Sequence, residues 1–229
     1  MRIRVNFEKP EDICYIGHID FIKVVTRGLR RTFLPLKFTE GFNSRVKVEM
    51  GFPLSVGMIG EDEYFDFYLR KDVDMELVQS KLEEAFKDII KIKRIKPVQD
   101  NIPAITSLPA ILVHFIYGTL EEVISENVVE EKLMSISEMQ EIIVLRKKHN
   151  ADKKKNIRPF IKEFKLLKME QKNIVFLLSA YFSSNGSVKI SEIEQILNEN
   201  GIKVKFDYMI RKKTSVKYKG KLMSPFDIE

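Results

Sequence analysis

Ile3, Val5 and Phe7 alternate with Arg2, Arg4 and Asn6, the period of two expected of a strand with one face in a core and the other in water. From about His18 to Phe33 the period becomes helical. Ile19, Ile22, Val25, Leu29 and Phe33 share one face of that helix, and Lys23, Arg27, Arg30 and Arg31 an adjacent one; Pro35 stops it. Val46, Val48, Met50 and Phe52 then alternate with Arg45, Lys47, Glu49 and Gly51, and Phe65, Phe67 and Leu69 with Tyr64, Asp66 and Tyr68. These predict two antiparallel strands joined by the connection from Gly57 to Asp62. Met75 to Lys87 sets Val78, Leu82, Ala85 and Phe86 at helical spacing, and Ile89 to Lys96 supplies a fourth strand. The order βαββαβ predicts an α+β, ferredoxin-like unit with both helices on one face of an antiparallel sheet.

Asn101 to Pro109, with two prolines and several polar residues, reads as a linker. Beyond it the pattern resumes: an apolar strand from Ala110 to Gly118, a helix from Asn127 to Met139, a strand from Glu141 to Lys147, a basic loop, and strands from Arg158 to Lys168 and Asn173 to Ser183. Ser191 and Glu194 have capping-box spacing ahead of Ile193, Ile196 and Leu197, and Gly201 stands where a helix-ending glycine belongs. Ile202, Val204, Phe206, Tyr208 and Ile210 alternate as a last strand, which places Tyr208 in the core. The expectation is therefore tandem ferredoxin-like domains, residues 1–100 and 110–229, the second with an extra strand and a basic loop.

A chain of 229 residues with 44% apolar content can bury a real core. Apolar runs such as IVFLLSAYF from Ile174 fall well short of the roughly 20 residues that a membrane-spanning helix needs. The opening MRIRVNF has no signal-peptide apolar region, so the expected location is the cytoplasm, away from membranes. Charge is blocked along the chain: residues 1–47 are net +5, 48–140 net −9, 141–173 net +7, 174–201 net −2 and 202–229 net +5. Three basic blocks invite an anionic partner, provided folding exposes them together.

Candidate chemistry is sparse. His18 is the one histidine placed to act as general acid or base; Asp20, two residues on, falls about 160° away around the helix and so cannot orient it, and instead favours the helix dipole. His114 sits in an apolar strand and His149 in a lysine-rich loop. No HExxH, CxxC, Walker A or GxSxG pattern occurs, so no metal and no cofactor is expected. The sharper candidates bind anions. Arg27, Arg30 and Arg31 beside Lys23 form a ridge on one helix face, and guanidinium groups grip phosphate bidentately. Arg45 and Lys47 extend that ridge from the next strand, and the Gly41-Phe42-Asn43 turn offers amides and Asn43 to the same anion. The run HNADKKKNIR, with Lys153, Lys154, Lys155 and Arg158, reads as a flexible phosphate-tracking loop, and Arg211, Lys212, Lys213, Lys217, Lys219 and Lys221 add a basic C-terminal segment.

The stretch from Tyr15 to Gly57, with its Gly-His-x-Asp helix start, arginine-rich helix and EGFN turn, closely resembles the signature of a bacterial family known as radical-SAM-linked proteins. The closing YKGKLMSPFD from Tyr218 resembles that family's ending. The family has no established activity; its members are encoded beside, or fused to, a radical S-adenosylmethionine enzyme. The resemblance implies such an enzyme as partner. Cys14 is the only cysteine, and an iron–sulfur cluster needs several thiolates, so the radical chemistry belongs to a separate polypeptide. Where the family usually continues its EGFN turn with Pro-His-Pro-Lys, this chain reads Ser44-Arg45-Val46-Lys47, which removes a second histidine. The reading is an accessory protein binding RNA or another phosphate-bearing ligand. Two others stand beside it: a metal-independent RNA-processing enzyme using His18, and a protein-docking scaffold.

Overall fold

The computed structural model describes residues 1–146 and 153–229, so His149 lies outside the described residues. The chain divides into two compact units, residues 1–108 with 213–229, and residues 109–212. The expectation of 110–229 as one block thus differs from the observed grouping, in which the last seventeen residues pack with the first unit.

In the first unit, β1 (Arg2–Lys9) lies between β4 (Lys91–Val98) and β3 (Met58–Tyr68), antiparallel to both, and β2 (Val48–Met50) pairs with β3. The register sets Ile3 beside Phe67 and Val5 beside Phe65. Against this apolar face lie α1 (His18–Arg31), through Phe21, Val25 and Leu29, and α2 (Met75–Phe86), through Val78, Leu82 and Phe86. The helical wheel was right about Val25 and Leu29, but Ile19 and Phe33 are 72% and 92% exposed, because Phe21 and Gly28 take the buried side. Strand β2 is shorter than its alternation, and β3 begins at Met58, inside the predicted connection.

Gly28 of α1 lies directly against the Phe86 ring of α2. A Cβ there would sit 2.4 Å from the Phe86 ring, which is wholly buried. Alanine adds about 1 kcal/mol of helix propensity, yet overpacking costs about 1–3 kcal/mol. Gly28→Ala is therefore expected to lower stability in urea unfolding, against the usual sign for a helical glycine.

The other face of β1 departs most from expectation. Arg2, Arg4 and Asn6, assigned to solvent by the alternation, are 3%, 0% and 1% exposed. The cover comes from far along the chain: Arg2 NH1 donates to Ile102 O at 2.6 Å, and Arg4 NH1 to Pro225 O at 2.6 Å. Asp66 accepts from both arginines. Beside them Asp62 accepts from Asn6 Nδ2 and Thr214 N, and the Tyr64 hydroxyl lies 3.0 Å from Ser224 Oγ. Residues 213–229 bring the end of β10 (Val204–Tyr218) and β11 (Lys221–Met223), whose hairpin turns through Lys219 and Gly220, both at positive φ.

In the second unit, β5 (Ala110–Leu120) lies between β9 (Asn173–Phe182) and the first part of β10, and β8 (Ile161–Glu170) flanks β9. The helices are α3 (Glu126–Glu138) and α4 (Ile190–Glu199). Glu192, rather than Glu194, closes the start of α4 by accepting from Lys189 N, and Gly201 ends it at φ +76°. Glu194 instead accepts from Phe206 N. A separate ribbon of β6 (Ile143–Arg146) and β7 (Lys153–Asn156) replaces the end of the predicted basic loop. Among the described residues no helix is long and apolar enough to cross a membrane.

Candidate nucleic-acid interface

Helix α1 starts where Gly17 O accepts from Phe21 N, with Asp20 in its first turn. It ends where Thr32 Oγ1 donates to Leu29 O at 2.6 Å and Phe33 turns to φ +54°. Its amphipathic register sends Lys23, Arg27, Arg30 and Arg31 to solvent. Lys23 is diverted to Asp20, donating at 2.8 Å and holding that carboxyl below its usual range. Arg31 NH2 donates to Ala85 O in the last turn of α2 at 2.7 Å, a cation satisfying a helix-end carbonyl.

Arg30 has a different environment. Its guanidinium lies 5.9 Å from the centre of the Phe38 ring, and that of Arg70 lies 5.5 Å from the same ring. Arg70 Nε donates to Leu36 O at 2.9 Å. Phe38 forms a bridge with Val46, and Thr39 N donates to Arg45 O at 2.7 Å, so Arg45 sits at the base of the same loop. Lys47 reaches the Tyr68 ring at 4.2 Å, while the Tyr68 hydroxyl donates to Glu49 and is pushed up in pKa by burial. At the loop tip Gly41 adopts φ +110° and Asn43 is exposed. Among the described residues no ion pair within 4.0 Å engages Arg27, Arg30, Arg31, Arg45 or Arg70. Arg30 and Arg70 thus share the Phe38 ring, and Arg27 is exposed one helical turn before Arg30 on α1; Arg45, next to the bridge partner of Phe38, belongs to the opposite side of that ribbon. Sequence reasoning did not include Arg70 or Phe38; no local pattern singles out either, because a tertiary bridge between Leu36 and Leu69 joins their segments.

The other candidates belong elsewhere. Lys153, Lys154 and Lys155 lie on β7 in the second unit, where Lys155 donates to Asn185 O and lies 4.9 Å from the Phe160 ring. Arg158 is structural: its guanidinium donates to Met139 O, Ile161 O and Ser137 O, capping the end of α3. Arg211, in the basic C-terminal segment, is 1% exposed. Tyr208, expected in the core, is 43% exposed and stacks on Tyr117, centroids 4.3 Å apart.

His18 is half-buried at the start of α1, in a recess shared with Lys9, Phe52 and Glu63. Lys9 Nζ donates to Cys14 O and Ile16 O, and Glu63 is 4% exposed. The recess offers about 10 Å³, room for one water molecule. Nearby Tyr15, Ile19 and Val56 are 76%, 72% and 59% exposed; Gly17 and Gly57 adjoin Val56 and Tyr15.

Fold and surface together define a mixed α+β protein with exposed arginines on its first helix, two arginines meeting at Phe38. The chain belongs to the bacterial family described as "Uncharacterized protein conserved in bacteria (DUF2344)", whose profile matches residues 2–190. No curated protein matches its sequence. Among solved structures it is similar to a chain in the crystal structure of a Cbf5-Nop10-Gar1 complex, at 12% identity and TM-score 0.57, covering 93% of this chain and 48% of that one. It is also similar to a chain in an H/ACA RNP bound to a substrate RNA containing 2'-deoxyuridine, at 13% identity and TM-score 0.52, covering 92% and 47%. A third likeness is to the archaeal box H/ACA sRNP Nop10-Cbf5 complex, at 12% identity and TM-score 0.51, again covering 92% and 47%. The protein spans about half the length of these structural relatives, and the likeness is one of fold.

Proposed function

We propose that this protein is an RNA-binding accessory protein that grips phosphates with the arginine surface of its first unit. The observation that carries this reading is the pair Arg30 and Arg70 on the Phe38 ring, with Arg27 exposed on the same helix and no ion pair engaging any of the three among the described residues. A surface helix kept only for solubility usually interleaves both signs. Guanidinium forks held against a ring are pre-organised for phosphate and lose less freedom on binding it. The RNA bound in one of the structural relatives favours RNA as the anion. Each unit carries strands and helices in the order βαββαβ, with the first strand lying between the third and the fourth, which supports reading both as ferredoxin-like, the second with the β6–β7 ribbon inserted. Cytoplasmic location fits a protein of this kind.

The test is RNA binding across a salt series, comparing the protein with an Arg27→Ala, Arg30→Ala, Arg70→Ala variant. Wild-type affinity should fall steeply with salt, and the variant should bind at least tenfold more weakly with a salt slope shallower by about 2 to 3. Equal affinity and slope in a folded variant would remove the arginine surface from the function.

A docking role has one specific observation in its favour, the exposed trio Tyr15, Ile19 and Val56, within the stretch that most resembles radical-SAM-linked proteins. Under that reading the trio meets the companion radical S-adenosylmethionine enzyme. An Ile19→Asp variant should then lose co-purification with that enzyme while keeping its affinity for RNA. The catalytic reading of His18 has less support, since the recess it shares with Lys9 and Glu63 offers only about 10 Å³.

A further inference from the structure

The sheet of the second unit has two unequal faces. Along β5, Leu112, His114, Ile116 and Gly118 are buried, whereas Val113, Phe115 and Tyr117 are partly exposed and Thr119 is exposed. Residues paired across an antiparallel ladder share a face. Phe115 pairs with Leu177, Tyr117 with Val175 and Ile111 with Tyr181, so the more open face is apolar and aromatic across its two central strands. Strand β10 adds Tyr208, whose ring lies almost parallel to that of Tyr117, 4.3 Å away at an interplanar angle of 11°. Lys212 Nζ lies 5.4 Å from the centre of the Phe115 ring, and Asp207 accepts from Thr119 Oγ1 at 2.8 Å.

The distribution of charge tells what this face suits. Strands β5 and β9 contain no Asp, Glu, Lys or Arg at all. Lysines border that centre: on β8, Lys165 and Lys168 pair with Glu163 and Glu170 at 2.8 Å each, beside Lys162, and β10 as far as Lys212 carries Lys205 and Lys212 against Asp207, its Arg211 being buried. An uncharged aromatic centre with lysines at its margins is complementary to a single strand of nucleic acid, whose bases are planar and apolar on their faces and whose phosphates run alongside. A duplex hides those base faces within its own stack. A purely apolar protein partner would make no use of the flanking cations, and a free anion no use of the rings.

We propose that the open face of the second unit's sheet, centred on Tyr208, Tyr117 and Phe115, stacks the unpaired bases of single-stranded RNA. Tyr208 is the outer ring of a pre-formed stack that a base extends, and Lys212, beside the Phe115 ring, holds a phosphate. The proposal shares with the reading above only the nature of the ligand. The arginine surface contacts phosphate whether or not bases are paired, while the sheet requires them unpaired.

The experiment compares a twelve-residue oligouridylate with a blunt-ended RNA duplex, bound to the wild type, Tyr208→Ala, Tyr208→Phe and the triple-arginine variant. Tyr208→Ala should weaken the single strand roughly 5- to 150-fold, the range for losing one stacked base, and leave the duplex unchanged; Tyr208→Phe should restore binding. The triple-arginine variant should weaken both ligands. Because the chain has no tryptophan, Tyr208→Trp supplies a single tryptophan whose fluorescence the single strand should quench and the duplex should not. Unchanged single-strand affinity in Tyr208→Ala, equal loss for both ligands, or an unquenched tryptophan would overturn the stacking face. Unchanged binding in the triple-arginine variant, with the tyrosine effect intact, would overturn only the arginine surface.

Discussion

Asp66→Asn should destabilise the first unit by about 3–5 kcal/mol, the usual cost of removing one partner from a buried ion pair. Asp66 is 1% exposed. It accepts from Arg2 Nε at 2.9 Å, and from Arg4 Nε and NH2 at 2.8 Å each, and Arg4 is fully buried. Asparagine keeps the shape but supplies one acceptor oxygen and an NH2 group directed at guanidinium donors, leaving the buried Arg4 charge uncompensated and Arg2 with the half-exposed Glu49 alone. The contrast is Glu49→Gln. Glu49 keeps 35% of its side-chain surface and pairs with Arg2 at 3.2 Å, so its loss should cost about 1 kcal/mol or less. Urea unfolding followed by circular dichroism measures both. Because Arg4 also holds Pro225 O, limited proteolysis of Asp66→Asn should cut first within residues 213–229. A cost below about 1 kcal/mol for Asp66→Asn would mean that the arginines reach water when the carboxylate is gone.

The second large effect is on pH. Burial at the core face of β5 pushes His114 down to about 3, with the neighbouring Arg211 charge acting the same way and a hydrogen bond with the Leu178 backbone opposing it. Among the described residues its Nδ1 has no hydrogen-bond partner. The unfolded chain takes up the proton near the ordinary histidine value of about 6.5, whereas the folded protein refuses it until about pH 3. Between those limits the unfolded state binds more protons, so stability is full above about pH 6.5 and falls as the pH drops, with a slope approaching 1.4 kcal/mol per pH unit. From pH 7 to pH 4 this site alone should remove about 3 kcal/mol. His114→Leu lacks the titrating group, and its stability should decline less over that interval by the same amount; parallel pH profiles for the two proteins would refute the assignment. The loss belongs to the second unit, so hydrogen exchange should show β5 and β9 weakening at pH 4 before β1 and β3.

Much of the element order was legible from periodicity. The register of Ile3, Val5 and Phe7, the helices at Val25 to Leu29 and Val78 to Phe86, the strand of Phe65 and Phe67, and the punctuation by Gly201 and Lys219-Gly220 all depend on nearest neighbours along the chain. The reading failed where a residue's surroundings come from elsewhere. Arg2, Arg4 and Asn6 alternate with hydrophobes as a solvated face would, and no local signal distinguishes that from a face buried with its charges paired. Arg158 looked like part of a phosphate-tracking loop because nothing near it in sequence shows that three carbonyls await it. Tyr208 was assigned to the core by strict alternation, yet its ring stacks on the partly exposed Tyr117. The arginine surface was half visible: helical spacing grouped Arg27 with Arg30, but Arg70 and Phe38 joined them only on folding.

The sequence by itself determined most of the strands and helices, their order within each half apart from the β6–β7 ribbon, and that the helix from His18 presents arginines to water. These follow from side-chain periodicity, capping and backbone preference, which act over a few residues. Only the tertiary structure decided which face of each sheet is covered, that residues 213–229 return to bury Arg4 against Pro225, that Asp66 is the carboxylate between two arginines, and that Phe38 gathers Arg30 and Arg70. Those outcomes depend on burial and charge pairing between residues up to 221 positions apart, and the free energy of such contacts exists only once the chain has closed the loops that separate them.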